Sequence, residues 1–151
     1  MSVERRRGFR SFIEFFVKKN NESTIIQLAL DSAFRFEQTK EFPEYPNLKV
    51  DHLVDIASNK LLALFGRAAL RDFIDVYFLI KKGFFTAEEL MQRAKGKDQG
   101  FDLYWFGVAL ERIKTFNHES AEMLLLIEAT NFPELVSFFN QWRITITKKL
   151  I

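Results

Sequence analysis

Five charged residues stand close together near the middle of the chain: Lys60, Arg67, Arg71, Asp72 and Asp75, within the stretch NKLLALFGRAALRDFIDVYFL. Three cations beside two carboxylates can do two kinds of work. They can form a cation-rich recess that binds phosphates, with the aspartates orienting Lys60 and Arg67. They can equally be structural, with Asp72 capping a helix, Asp75 favoured by that helix's N-terminus, and an internal salt bridge tying two helices together. A lysine on an apolar stripe can also simply lay its stem on the core and its ammonium in water. Spacing alone favours the structural reading and leaves the phosphate reading open.

The elements that must hold these groups follow from periodicity and capping. Leu53, Ile56, Ala57, Leu61 and Leu64 fall on one stripe of a helix that Asp51 can cap and that runs to about Gly66. Lys60 lies within that stripe, Arg67 projects in nearly the same direction, and His52, Asp55, Ser58 and Asn59 form the wet side. After a turn around 68–71, Asp72 is expected as the N-cap of a second helix ending at Lys82 and Gly83. From Phe73 to Ile80 only Asp75 is polar. A carboxylate buried without a partner is costly, so Lys60, Arg67 or Arg71 should meet it.

Elsewhere, Phe9, Phe12, Ile13 and Phe16 recur at helical spacing, which predicts a helix stopping near Asn20 and Asn21. TIIQLAL, Thr24 to Leu30, predicts a strand. EFPEYPNLKV predicts a loop with a short strand at Leu48 to Val50. Thr86 and Glu89 form a capping box with Phe85 and Leu90 as its staple. Asp102 caps a further helix to about Thr115, stapled by Phe101 and Phe106. The apolar run near Met123 fits a short helix or a strand, and FPELVSFFNQW predicts a helix that frays at the β-branched RITIT.

The chain has 151 residues, a formal net charge of +2 and no cysteine. That excludes disulfides and thiolate chemistry, and it fits a reducing compartment. No apolar run approaches the roughly 18 residues a membrane span needs, so the expectation is a cytoplasmic protein. Eighteen phenylalanines imply a core of packed rings without polar handles. Trp105 and Trp142 are read as core or interface. Arg5, Arg6, Arg7 and Arg10 are read as a solvated N-terminal turn, with a nucleic-acid arm as the alternative. His52 and His118 are far apart in sequence, and no His/Asp/Glu spacing makes a metal site.

The run DIASNKLLALFGRAALRDFIDVYFLIKKGF resembles the C-terminal part of the AbiEii/AbiGii-type toxin family of nucleotidyltransferases, within the DNA polymerase β-like superfamily. Lys60, Arg67, Arg71, Asp72 and Asp75 match that family's lysine, arginine and RDxxDxYFL pattern in order. The preceding IIQLALDSAFRF resembles the family's strand and turn. The resemblance covers about Thr24 to Lys114 and implies an NTP substrate, nucleotidyl transfer to an acceptor such as RNA, Mg²⁺, and an antitoxin partner. It implies that Lys60, Arg67 and Arg71 contact the nucleotide, with Lys60, Asp72 and Asp75 as the catalytic or positioning residues.

The family's site also has a glycine–serine turn followed by an Asp-x-Asp pair that holds metal ions. This sequence has neither. Gln27 stands where a third carboxylate is expected, and Asp31 is a substitute or an ordinary turn aspartate. The expectation is therefore a predominantly helical α+β chain. Residues 1–50 would form a partial nucleotidyltransferase sheet of one or two strands, and residues 51–151 a helical region. Catalysis by this chain alone would be weak or absent. The alternatives are a binding remnant for nucleotide, RNA or antitoxin, and a self-associating structural protein that covers an exposed strand edge.

Overall fold

The computed structural model describes all residues except Asp31 and Ala129, so the question of Asp31 as a ligand lies outside the described residues. The chain is α+β, with five strands and six helices among the described residues. It divides into two units, Met1–Phe34 and Arg35–Ile151.

The first unit is an antiparallel meander of β1 (Ser2–Phe9), β2 (Phe12–Lys19) and β3 (Glu22–Ala29). The helix expected over Phe9 to Phe16 is not formed; these residues end one strand and begin the next. Their physical preference is visible in hindsight. FIEFFVKK is aromatic and β-branched, and the Asn20-Asn21 pair supplies a two-residue hairpin loop between Lys19 and Glu22, with Asn20 at φ 56°. The arginines at 5, 6 and 7 sit on exposed edge strand β1 rather than in a turn, and a bulge falls between Arg5 and Arg7. Arg6 lies 4.1 Å from the centre of the Phe16 ring. Gln27 donates to buried Glu14 across the β2–β3 pair at 2.7 Å.

The second unit opens with a hairpin, β4 (Lys40–Phe42) and β5 (Tyr45–Val50), where a loop with one short strand was expected. Helices α1 (Leu53–Gly66), α2 (Leu70–Lys81), α3 (Ala87–Lys97), α4 (Leu103–Glu111), α5 (Ala121–Leu124) and α6 (Phe132–Leu150) follow, with a 3₁₀ turn at Arg112–Thr115. Thr86 and Glu89 close the capping box of α3, and Asp102 caps α4 through the Trp105 N–H. The α6 helix continues through RITIT to Leu150 without fraying, because Ile146 is buried against the core. Burial of an apolar face outweighs the small propensity penalty of β-branched residues.

The core is aromatic. Phe73 meets Phe139 edge-on with ring centres 4.9 Å apart, and Phe106 meets Trp142 at 5.3 Å. Trp142 is therefore core, whereas Trp105 is 60% exposed. Phe101 and Phe106 form the expected staple, with rings 5.3 Å apart.

Candidate functional site

The α1–α2 hairpin positions all five charged residues. Helix α1 ends at Gly66, and Ala68 in the left-handed region (φ 48°) turns the chain so that α2 returns beside α1. Two helix starts differ from expectation. His52, not Asp51, occupies the N-cap of α1, and Asp51 instead accepts from Arg35 Nε at 2.6 Å. Ala69, not Asp72, is the N-cap of α2. Asp72 lies one turn in, where its carboxylate reaches back to the Ala69 N–H at 3.1 Å. Arg71 is consequently inside the helix, and it is exposed.

Two ion pairs cross the hairpin. Lys60 Nζ meets Asp75 Oδ2 at 2.7 Å, and Arg67 forms a two-pronged bond to Asp72, Nε to Oδ2 at 2.8 Å and Nη2 to Oδ1 at 2.7 Å. Asp75 was expected to be buried; its side chain is 38% exposed and that of Lys60 40%. The buried carboxylate is Asp72, at 0%. The reason is the phase of the helices. The buried face of α1 is Val54, Ala57, Ser58, Leu61 and Leu64, while Leu53 is 38% exposed, so Lys60 sits at the border of the stripe rather than within it.

The electrostatics follow from this placement. Burial pushes the Asp72 carboxyl up, but the Arg67 hydrogen bonds and charge, the Ala69 N–H and the Arg71 charge together hold it below its ordinary value. The Arg67 guanidinium is held above its ordinary value, chiefly by its hydrogen bond to Asp72, with the Asp75 charge adding to the effect. Because Asp72 and Asp75 are one turn apart on α2, the four groups form one alternating strip along the α1–α2 seam. Arg112 Nη1 donates to the Arg67 carbonyl at 3.1 Å and anchors that end of the strip.

Beyond Lys60 and Asp75 the seam opens into a groove of about 490 Å³. Its lining includes Phe78, Leu79 and Lys82 along α2, and Glu128 from the segment after α5. Lys82 Nζ meets Glu128 Oε1 at 2.5 Å. Sequence reasoning missed that pair, since nothing local links residues 46 positions apart.

It also missed the most enclosed ion pair of the unit. Asp55 and Ser58, expected on the wet face of α1, are both fully buried. Asp55 accepts from the Phe36 and Glu37 N–H groups at 3.0 and 3.1 Å and from Lys97 Nζ at 3.1 Å. Burial raises its carboxyl, and these donors overcompensate, so it is held below its ordinary value. A stripe through Val54, Ala57, Ser58 and Leu61, which also recur at i, i+3, i+4 and i+7, would have placed Ser58 inside. Asp55 lies off that stripe and is enclosed because Phe36, Glu37 and Lys97 cover it.

Metal ligation does not fit this seam. Asp72 and Asp75 each already face a cation, and among the described residues no three His, Cys, Asp or Glu side chains converge to hold a metal ion. His52 stands at the start of α1, and His118 is exposed 3.9 Å from Glu119. Among the described residues no helix is long and apolar enough to cross a membrane.

An α+β chain whose helical hairpin carries Lys60, Arg67, Asp72 and Asp75 along one seam, with Arg71 exposed beside them, has the nucleotidyltransferase-like architecture expected from its sequence. The model of the family described as nucleotidyl transferase AbiEii toxin, type IV toxin–antitoxin system, matches residues 12–137, and the chain belongs to that family. In fold it is similar to a crystal structure from H. pylori assigned as a nucleotidyltransferase, with a TM-score of 0.54 at 19% identity. That similarity covers 99% of this chain and 66% of the H. pylori chain. No curated protein matched the sequence.

Proposed function

We propose that this chain supplies the triphosphate-holding helical part of a nucleotidyltransferase site of the AbiEii type, acting in the cytoplasm on an NTP and an acceptor such as RNA. In this reading Lys60, Arg67 and Arg71 contact the triphosphate. Asp75 holds Lys60, and Asp72 holds Arg67, so that the cations are already oriented when the anion arrives. A guanidinium fixed by a two-pronged bond still presents its remaining N–H donors outward. An ammonium paired at a half-exposed position can share its donors with a phosphate oxygen.

One observation carries this reading: the Lys60–Asp75 and Arg67–Asp72 pairs lie in line on one seam, with Lys60 at the mouth of a groove. In nucleotidyl transfer an acceptor hydroxyl attacks the α-phosphorus and pyrophosphate leaves. Cations on the β- and γ-phosphates stabilise the leaving group, and these residues would do that work. The family implies a divalent cation, Mg²⁺ by expectation. Among the described residues both carboxylates of the seam already face cations, and the sequence has no Gly-Ser dipeptide and no Asp-x-Asp pair. The 151-residue chain by itself is accordingly proposed to bind nucleotide and to transfer weakly or not at all. An antitoxin is the expected protein partner.

The test is calorimetric titration of ATP, GTP, CTP and UTP, with Mg²⁺, into the wild type and Lys60→Ala. Binding by the wild type that is lost in the variant supports the reading. A wild type that binds none of the four would leave both ion pairs as structural ties between α1 and α2.

A further inference from the structure

The groove beyond Lys60 contains residues that a triphosphate contact leaves unused. Asp75, Phe78, Leu79 and Lys82 follow one another at i, i+3, i+4 and i+7, so they form one line along α2. That line runs from the Lys60–Asp75 pair to the Lys82–Glu128 pair, about two helical turns or roughly 10 Å. Between the two pairs the lining is apolar, with Ile56 from α1, Phe84 after α2, and Leu125 after α5. Phe84 is 55% exposed and Leu125 80%. Lys82 Nζ stands 5.8 Å from the centre of the Phe78 ring. The groove's 490 Å³ is within the size range of small-molecule sites.

We propose that this groove is the nucleobase pocket of the triphosphate site, and that the Lys82–Glu128 pair at its far end reads the edge of the base. The proposal rests on the reading above, which puts the phosphates on the Arg67-to-Lys60 strip. That strip lies toward the N-terminus of α2 and the groove lies toward its C-terminus, so a nucleotide anchored by its phosphates at Lys60 extends its base along Phe78 and Leu79. Aromatic and aliphatic walls suit a flat ring with two π-faces. A base edge presents acceptors and donors side by side. The Lys82 ammonium donates to a ring nitrogen or carbonyl, and the Glu128 carboxylate accepts from an amine or imino N–H. Their side chains are 43% and 60% exposed, so exchanging each other for a base costs little.

Tripolyphosphate, which has no base, separates this proposal from the one it rests on. Tripolyphosphate and the four NTPs are titrated with Mg²⁺ into the wild type, Lys60→Ala, Phe84→Ala and Glu128→Gln. Phe84 and Glu128 are both largely exposed, so neither variant removes core. NTPs should bind the wild type more tightly than tripolyphosphate. Phe84→Ala should weaken NTP binding roughly tenfold and leave tripolyphosphate unchanged. Glu128→Gln should reorder the four NTPs, again with tripolyphosphate unchanged. Lys60-dependent binding in which NTPs and tripolyphosphate are equivalent, or in which Phe84→Ala changes neither, overturns the pocket and spares the triphosphate site. An unchanged NTP ranking in Glu128→Gln overturns the edge-reading role. A wild type that binds neither class of ligand overturns both readings together.

Discussion

Arg67 grips Asp72 with two parallel hydrogen bonds, and the two partners differ sharply in environment: the carboxylate is wholly enclosed while the arginine side chain is 52% exposed. That asymmetry sets the cost of breaking the pair. Arg67→Ala leaves an enclosed charge with the Ala69 N–H and the Arg71 charge among the described residues, and should destabilise by about 3 kcal/mol. Asp72→Asn leaves an arginine that water can solvate, and should cost about 1–2 kcal/mol. Denaturant unfolding of both variants gives the order. An Asp72→Asn variant less stable than Arg67→Ala would contradict it.

Lys60→Ala should separate binding from stability. The Lys60–Asp75 pair is half-exposed on both sides, so its removal should change unfolding free energy by less than about 1 kcal/mol. Nucleotide binding should nonetheless disappear. A large loss of stability would instead identify the pair as a structural tie.

The Asp55–Lys97 pair should behave in the opposite way. Both side chains are almost fully enclosed, at 0% and 3% exposure. Lys97→Met removes the charged donor that meets Asp55 and should destabilise by about 3 kcal/mol or more. The exposed Lys148→Met should change stability by under about 0.5 kcal/mol. Comparable midpoints for the two variants would show that Asp55 is held adequately by the Phe36 and Glu37 N–H groups.

Acid should unfold the helical unit through these same carboxylates. Asp55 and Asp72 are both held below their ordinary values when folded. Between the folded and unfolded values the unfolded chain binds more protons, so stability rises with pH in that interval. Their contribution is complete above the unfolded carboxylate range, about pH 4, and is lost as pH falls through the folded values. Denaturant midpoints measured from about pH 6 down to about pH 2 should hold level and then fall below about pH 4. The fall should be shallower in Asp72→Asn, and an identical slope in that variant would remove Asp72 from the account.

Local chemistry was enough to read the starts of α3 and α4, though not those of α1 and α2, where His52 and Ala69 stand at the caps in place of Asp51 and Asp72. Thr86 with Glu89, Asp102, and the Phe101–Phe106 staple each act within four or five residues, so their signals are complete in the sequence. The motif around Lys60 and Asp75 was legible for the same reason, since both lie on strongly apolar helices whose exceptions stand out. What the tertiary structure decided was phase and pairing. Phe9, Phe12, Ile13 and Phe16 fit a helical period, yet they are strands because the Asn20-Asn21 hairpin and the β2–β3 register satisfy the backbone of that segment. Asp55 looked wet, and it is enclosed because a lysine 42 residues away on α3 reaches it. Lys82 was legible only as the end of a helix, and it lines a groove with Glu128. Capping and periodicity act over a turn or two of chain. Which of two apolar faces is buried, and which distant charge answers a buried one, depends on contacts that exist only once the helices have packed.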